Sequence, residues 1–228
     1  MSRGVGHFYR QRSEKIIELL IEIISNLKLK KILDIGCGAG WYLKKLERMG
    51  DTIGLDFCMN YLSQARDFCK KSLFINADAQ RLPFRNNYFD LILCTEVLEH
   101  LPFPCQCLKE IARVLSKNGV AVITTPMKNS IEEIVSRKNN PRHNVEHLSI
   151  FTYKEFIFTL KKNFTLRRIE ATSFIPLNKI TYLLYKQQHL IKIINSICSK
   201  IRFLKNFSWC VIAIVTKRTD AIGQYKED

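Results

Sequence analysis

No uninterrupted apolar run in this 228-residue sequence approaches the ~18 residues that a membrane-crossing helix needs. The opening stretch, MSRGVGHFYRQRSEK, is polar and lacks the charged-then-apolar order of a targeting signal. Both absences lead to the expectation of a cytoplasmic chain. The phosphate-loop pattern G-x-x-x-x-G-K-[ST] is missing as well, which removes that route to nucleoside triphosphates. The eight cysteines include no C-x-x-C pair, since Cys105 and Cys107 form only a C-x-C. We therefore read them as reduced, mostly small apolar residues, and expect no metal site. Acidic residues are absent from Ala171 to Thr219, a span that holds eight Lys or Arg. The net charge of +15 is thus weighted toward the C-terminal part, and a surface of this sign attracts anions.

What is present is an ordinary globular composition, 46% hydrophobic with a mean hydropathy of −0.08, in a length suited to one domain with a substantial core. The most informative segment is Ile32–Tyr42, ILDIGCGAGWY. A short β-type run, Lys31 to Ile35, ends in an acidic residue, Asp34, and three alternating glycines, Gly36, Gly38 and Gly40, and a helix-like run follows; Asp34, Asp56, Asp78 and Glu96 are all read as lying at carboxyl ends of strands. Strand, glycine turn and helix leave backbone open to close approach by a nucleotide-like ligand. Asp56 closes the next apolar run, in the zone roughly 20 residues on where a carboxylate can accept from ribose hydroxyls. A dinucleotide fingerprint would need a small residue at position 41, which holds Trp41. A nucleoside with ribose but no phosphate fits these features, and the acid at Asp34 suits a ligand with positive charge. S-adenosylmethionine has adenosine, a sulfonium cation and an amino-acid tail.

Several further segments in the same order give the chain a specific resemblance. From about Lys30 to Met127 it resembles the class I S-adenosylmethionine-dependent methyltransferases, the broad group that includes quinone-biosynthesis and small-molecule O-methyltransferases. DIGCGAG resembles the cofactor glycine loop, and GLDFCMNYLSQAR the segment whose acid holds the ribose. INADAQRLPFRNNYFDLILCTEVLEHLP resembles the next two segments, and LKEIARVLSKNGVAVITTP the helix and fifth strand after them. The resemblance implies a cofactor set of Asp34, Gly36, Cys37, Gly38, Gly40, Asp56, Phe57, Asp78, Ala79, Thr95 and Glu96. Within it, Asp78 and Ala79 would sit at the adenine, and Thr95 and Glu96 near the methionine part. The implied product is S-adenosylhomocysteine.

The pattern of runs predicts strands at 31–35, 52–56, 72–77, 88–94 and 119–125, alternating with helices at 40–49, 59–70 and 104–116. Such alternation means a mostly parallel α/β sheet of the Rossmann-like kind, with helices on both faces. FTLRRIEAT and WCVIAIVTK read as strands six and seven, and the family likeness makes strand seven antiparallel. Thr152 is positioned to cap a helix running to Lys162, and Ser13 one running to Leu27. We expect a single domain: an N-terminal helical segment 1–29, a cofactor core 30–127 and an acceptor-side region 128–218. The last contains an insert, 174–208, with an apolar stripe at Ile180, Leu183, Leu184, Leu190, Ile191, Ile194, Ile197, Ile201 and Leu204 among six Lys or Arg. That is a basic amphipathic helical stretch. It packs on the domain or on a second subunit of a homo-oligomer, or it touches anionic membrane surface; both readings stand.

Methyl transfer from a sulfonium is an in-line displacement, helped at a hydroxyl acceptor by a base. His143 and His147, in PRHNVEHLSIFT after strand five, are the candidate catalytic bases, because imidazole titrates near neutrality. The alternative is that both only form local hydrogen bonds. Glu99 and His100 read as residues that fix the loop after strand four, and His7 and Tyr9 as a flap over the cofactor or a frayed end. The expected acceptor is a small molecule, a glycan or a lipid-linked compound, methylated on oxygen. RNA, tRNA included, is the alternative that the basic charge supports. DNA is not expected, since strand four ends in CTEVLEHLP and not in an Asn/Asp-Pro-Pro-Tyr type of motif for a flipped base. Cys105 lies at a helix start behind Pro104 with no activating neighbour, so it is not read as a nucleophile. A non-catalytic partner subunit of the same fold is the other class of reading.

Overall fold

The computed structural model describes residues 16–22, 31–128, 148–172, 208 and 210–218. In chain order these form helix α1 (residues 16–22), β1 (Lys31–Ile35), α2 (Leu43–Leu46), β2 (Asp51–Asp56), α3 (Met59–Phe68), β3 (Leu73–Asn76), β4 (Phe89–Thr95), a 3-10 turn (Leu98–His100), α4 (Pro104–Val114), β5 (Leu115–Pro126), α5 (Tyr153–Asn163), β6 (Phe164–Thr172) and β7 (Cys210–Lys217). The strands make one seven-stranded sheet in the order β3-β2-β1-β4-β5-β7-β6. β1 runs parallel to β2 and β4, β2 to β3, and β4 to β5. β7 alone reverses, antiparallel to both β5 and β6. The expected Rossmann-like architecture is therefore the observed one.

Alternation along the central strands sorts side chains onto two faces. Leu33 and Ile35 of β1 enter a core with Leu108 and Ile111 of α4 and Phe156 and Leu160 of α5. Ile32 points the other way, into a cluster with Leu91, Leu93 and Val122 that α1 covers through Ile16, Leu19 and Leu20. Each such large apolar side chain, fully enclosed, contributes roughly 1.5–3 kcal/mol. Helices thus close both faces of the buried centre, β1 and β4. The edge strand β3 keeps partly open side chains, with Leu73 exposed.

Element boundaries differ from the sequence expectation where backbone geometry intervenes. The helix expected at 40–49 is reduced to Leu43–Leu46, because Gly40 takes a φ of +84° and residues 39–42 form turns. The helix expected to reach 116 stops at Val114, since Leu115 pairs with Phe89 across β4 and starts β5 early, with a register shift before Leu91. Strand six matches FTLRRIEAT residue for residue. Ser13, His7, Tyr9, His143, His147 and residues 174–207 of the basic insert lie outside the described residues; Ser208 at the insert's end is buried.

The Thr152 cap is a complete capping box. The Thr152 hydroxyl accepts from the Glu155 backbone N–H at 3.3 Å, and the Glu155 carboxylate accepts from the Thr152 N–H at 2.8 Å. Removing it with Thr152→Ala should cost about 1 kcal/mol. A thermal melt should then fall by about 2–4 °C; an unchanged midpoint would show that the box adds nothing to α5.

Candidate active site

β1 sits where the strand order reverses: the chain passes to β2 and β3 on one side, then returns to place β4 on the other. In open α/β sheets the crevice beyond the carboxyl ends at such a point is where ligands bind. A cleft of about 550 Å³ occupies that position, within the range of small-ligand sites. Gly36 and Gly38 form its floor, Asp56, Phe57 and Tyr61 one wall, Asp78, Ala79 and Gln80 another, and Glu96, Val97, His100, Leu101 and Pro102 the far side.

The glycine turn is held from below by β2. The amides of Gly36 and Cys37 both donate to the Leu55 carbonyl, at 2.7 and 3.0 Å. The Gly38 amide donates to Asp56 Oδ2 at 2.9 Å, and the Cys58 amide to Asp56 Oδ1 at 2.8 Å. Asp56 therefore ties the turn to the start of α3, and each oxygen keeps acceptor capacity for a ligand hydroxyl. All three glycines are left-handed, with φ of +68°, +52° and +84°. They do different things. A Cβ on Gly36 would stand 2.3 Å from Val97 Cγ2, and one on Gly40 would stand 2.8 Å from Cys69 Sγ, whereas one on Gly38 would meet nothing within 4 Å. Gly40 thus supplies the close helix approach, here against α3. Trp41 lies outside it, more than half exposed, with Lys45 Nζ 5.4 Å from its ring centroid.

Gln80 shapes the wall after β3. Its backbone N–H and its side-chain amide both donate to Asp78, at 2.8 and 3.1 Å to Oδ1, and its Oε1 accepts from the Phe103 N–H at 3.0 Å. One residue so connects the Asp78 turn to the entrance of α4. The loop beyond is fastened by Arg113, which donates to the carbonyls of Leu82 and Phe84 at 2.9 and 2.7 Å, while Glu110 accepts from the Leu82 N–H at 2.8 Å. The hydrogen bond from Arg113 holds the Glu110 carboxyl below its ordinary range.

Glu96 takes a φ of +56° at the end of β4, and its Oε1 accepts from the Thr124 hydroxyl at 2.9 Å. Glu99 is enclosed: its carboxylate accepts from Thr125 at 3.4 Å, and its carbonyl accepts from the amides of Leu148 and Ser149 at 2.7 and 3.0 Å. His100 Nε2 lies 4.0 Å from Glu99 Oε1, and His100, its side chain about half exposed, lines the cleft.

Of the residues expected at the cofactor, Gly36, Gly38, Asp56, Phe57, Asp78, Ala79 and Glu96 come together on this one cleft. Cys37, Gly40, Thr95 and Asp34 do not line it. Cys37 is buried behind the turn, its thiol pushed up by burial and by Asp34 and Asp56. Asp34 is fully enclosed, on the β1 face that Ile32 shares, and neither carboxyl oxygen meets a hydrogen-bond donor among the described residues. Burial, and then the neighbouring Asp56, push its carboxyl up to about 8. His100 and Gln80 are cleft residues whose position sequence reasoning missed. For Gln80 the signal was there: an Asp two residues before it is an Asx-turn pattern.

Residues 33–123 match the family model described as "Methyltransferase domain". The chain is 38% identical over 120 residues to an uncharacterised protein of Methanocaldococcus jannaschii, covering 52% of this chain and 51% of that protein. It is 34% identical over 103 residues to the malonyl-[acyl-carrier protein] O-methyltransferase of Buchnera aphidicola, covering 45% and 42%. The aligned region thus spans about half the length of the curated relatives, or less. Among solved structures, the N-methyltransferase NodS of Bradyrhizobium japonicum, in complex with S-adenosyl-L-homocysteine, superposes with a TM-score of 0.62 at 16% identity, covering 93% of this chain and 88% of that one.

Proposed function

We propose that this chain, in which residues 33–123 match a methyltransferase domain, is a class I S-adenosylmethionine-dependent methyltransferase that transfers a methyl group to an oxygen of a small-molecule, glycan or lipid-linked acceptor. The observation that carries the reading is the cleft at the strand-order reversal, floored by glycine backbone and edged by Asp56, Asp78 and Glu96, with no Lys or Arg lining it among the described residues. Such a lining, with three carboxylates at its edge, suits a nucleoside with a cationic tail. The O-methyltransferase of Buchnera aphidicola among the relatives supports oxygen as the acceptor atom.

In this reading Asp56 accepts from the ribose hydroxyls, and Asp78 and Ala79 meet the adenine between Phe57 and the Leu101–Pro102 side. Glu96 faces the amino-acid end beside the turn, with Thr95, Cys37, Gly40 and Asp34 supporting the turn and strand ends from behind. The bound cofactor supplies an activated methyl on a cationic sulfur. The chain's part is to fix that methyl against an acceptor oxygen and to exclude water, which Val97, Leu101 and Pro102 favour by their apolar side chains. A base near the rim takes the acceptor's proton; His100 lines the cleft, and His143 and His147 are the candidates outside the described residues.

Calorimetric titration with S-adenosylmethionine and S-adenosylhomocysteine, followed by radiolabelled transfer to hydroxylated lipids, glycans and tRNA, tests the reading. Absence of binding by either compound would overturn the cofactor site, and transfer to tRNA alone would replace the acceptor class. The second reading, RNA, is favoured by the net charge of +15. Asp56→Ala should weaken cofactor binding by roughly 1–3 kcal/mol, the scale of a buried hydrogen-bond partner lost; unchanged affinity would remove Asp56 from the site. No helix among the described residues is long and apolar enough to cross a membrane. The basic stripe of 174–208 supports peripheral contact with anionic lipid. Co-sedimentation with phosphatidylserine vesicles should then exceed that with neutral vesicles and fall with salt; equal binding to both would sink the contact.

A further inference from the structure

We propose that Gln80 sets this site's choice of purine. By fixing the Asp78 carboxylate on the cleft wall, it makes the site take a base with an exocyclic amino group and refuse one with a carbonyl in that place. Gln80 is a positioning residue that acts through Asp78, and its role rests on the S-adenosylmethionine reading of the cleft.

The strand ends place the base. Asp56 closes β2 and stands opposite Asn76 of β3. The Ala77 amide donates to the Asp56 carbonyl at 3.3 Å, and Asp78 follows directly. Neighbouring strands stand about 4.8 Å apart. A nucleoside whose ribose hydroxyls meet Asp56 therefore has its base, one glycosidic bond away, within reach of the wall formed by Asp78, Ala79 and Gln80.

Asp78 is exposed, and a carboxylate in water left to itself samples several rotamers. Gln80 removes that freedom. Its backbone N–H donates to Asp78 Oδ1 at 2.8 Å, and its side-chain amide donates to Oδ1 at 3.1 Å and to Oδ2 at 3.2 Å. Among the described residues, Gln80 supplies every hydrogen bond that this carboxylate receives. The backbone bond alone makes an Asx turn and holds one oxygen; the side-chain amide spans both and fixes the plane of the group. The amide is itself held, because its Oε1 accepts from the Phe103 N–H at 3.0 Å. Turning it round would set its oxygen against the carboxylate and its amino group against an N–H.

An ionised carboxylate only accepts hydrogen bonds. It pairs with the exocyclic amino group of adenine. It meets the carbonyl of hypoxanthine as a second acceptor, with no proton between the two oxygens. A mobile carboxylate would escape that repulsion by turning to solvent, whereas one clamped by Gln80 keeps it, which is how a site rejects a close analogue.

Calorimetric titration with S-adenosylhomocysteine and with its deaminated counterpart, S-inosylhomocysteine, reads the choice. The wild type should prefer the amino compound by roughly 100-fold, the scale of a charge-assisted hydrogen bond replaced by an unpaired acceptor. Gln80→Leu removes both side-chain links, and Gln80→Glu keeps an acceptor for the Phe103 N–H but loses the donor to Asp78. Each should reduce the preference to about tenfold or less. Asp78→Asn should do the same, since its amide can also donate, and adding Gln80→Leu to it should change the preference no further. Equal loss of affinity for both compounds in Gln80→Leu, with the preference kept, makes Gln80 a structural brace only and overturns the proposal. A preference lost in Gln80→Leu but intact in Gln80→Glu overturns the route through Asp78. Where Gln80→Leu does not fold, Gln80→Glu decides alone: a reduced preference supports the proposal and an unchanged one overturns it. Equal wild-type affinity for the two compounds overturns the proposal and leaves the nucleoside site standing, whereas failure of the wild type to bind either compound overturns the cofactor reading and the proposal with it.

Discussion

Raising the pH of the ligand-free protein from 4 to 8 should drain folding stability steadily, by up to about 5 kcal/mol, through the single carboxyl of Asp34. Its folded-state value of about 8 stands above the ordinary 3.8, a gap of about four pH units at roughly 1.4 kcal/mol each. The sign follows from proton counting. Between those two values the native protein keeps a proton that the unfolded chain has already released, so stability falls as pH rises. The contribution is whole below the lower value, is lost progressively toward the upper one, and is level beyond it. The figure is a ceiling, since any local opening that wets the carboxyl reduces it. Glu110 and Glu155, both held below their ordinary range, act in the opposite sense and in a separate window. Their stabilisation disappears only as the solution becomes acidic enough to protonate them. Urea unfolding at unit pH steps from 4 to 9 measures both effects. Asp34→Asn should remove the decline between 5 and 8, and a wild-type profile flat across that range would show that Asp34 is solvated in the native state.

Asp34 also shows where sequence reading reaches its limit. The acidic residues at the ends of β2, β3 and β4 and the glycine turn were legible because they terminate apolar runs, and a parallel sheet brings such ends together. Seven of the residues that the family resemblance implies at the cofactor line one cleft. Asp34 lies within its strand, and alternation from Ile32 places it on an inner face; that rule was available in KILDI, yet the motif drew attention to charge and away from direction. β6 was legible to the residue because Thr152–Asn163 and the strand differ sharply in period and the capping box marks the helix start. The break at 40–42 was not, because WYLKKLERM has helical spacing throughout and only the left-handed Gly40, tight against Cys69 and Ala65, forces turns ahead of Leu43. His100 illustrates a third kind of miss: its neighbour Glu99 does fix the loop at Leu148 and Ser149, but His100 itself lines the cleft, and adjacency in sequence gave no hint that the two residues divide those tasks.

Two neighbouring glycines should separate stability from ligand binding when each is replaced by alanine. Gly36→Ala is expected to cost about 3 kcal/mol or more of folding stability, and Gly38→Ala only about 1–2 kcal/mol, the penalty of a left-handed L-residue. Both positions have that backbone strain, with φ of +68° and +52°. Only Gly36 adds a collision, because its new methyl would overlap Val97 Cγ2 at 2.3 Å, whereas the methyl on Gly38 would project into open space. Val97 cannot easily withdraw, since it follows Glu96, itself left-handed and held to Thr124, and leads into the 3-10 turn. Cofactor affinity should show the reverse order relative to stability. The Gly38→Ala methyl stands in the space above the turn that a ligand would occupy, so this variant should remain folded and bind S-adenosylmethionine at least tenfold more weakly, a loss of about 1.4 kcal/mol. Combining Gly36→Ala with Val97→Ala should recover the steric share of the lost stability and leave the strain, bringing the double variant close to Gly38→Ala after allowance for the smaller side chain at 97. Denaturant midpoints for the four proteins, with calorimetric affinities for those that fold, provide the comparison. Equal destabilisation by the two single substitutions would mean that the turn yields at Gly36 as freely as at Gly38, and that the contact with Val97 does not set the floor of the cleft.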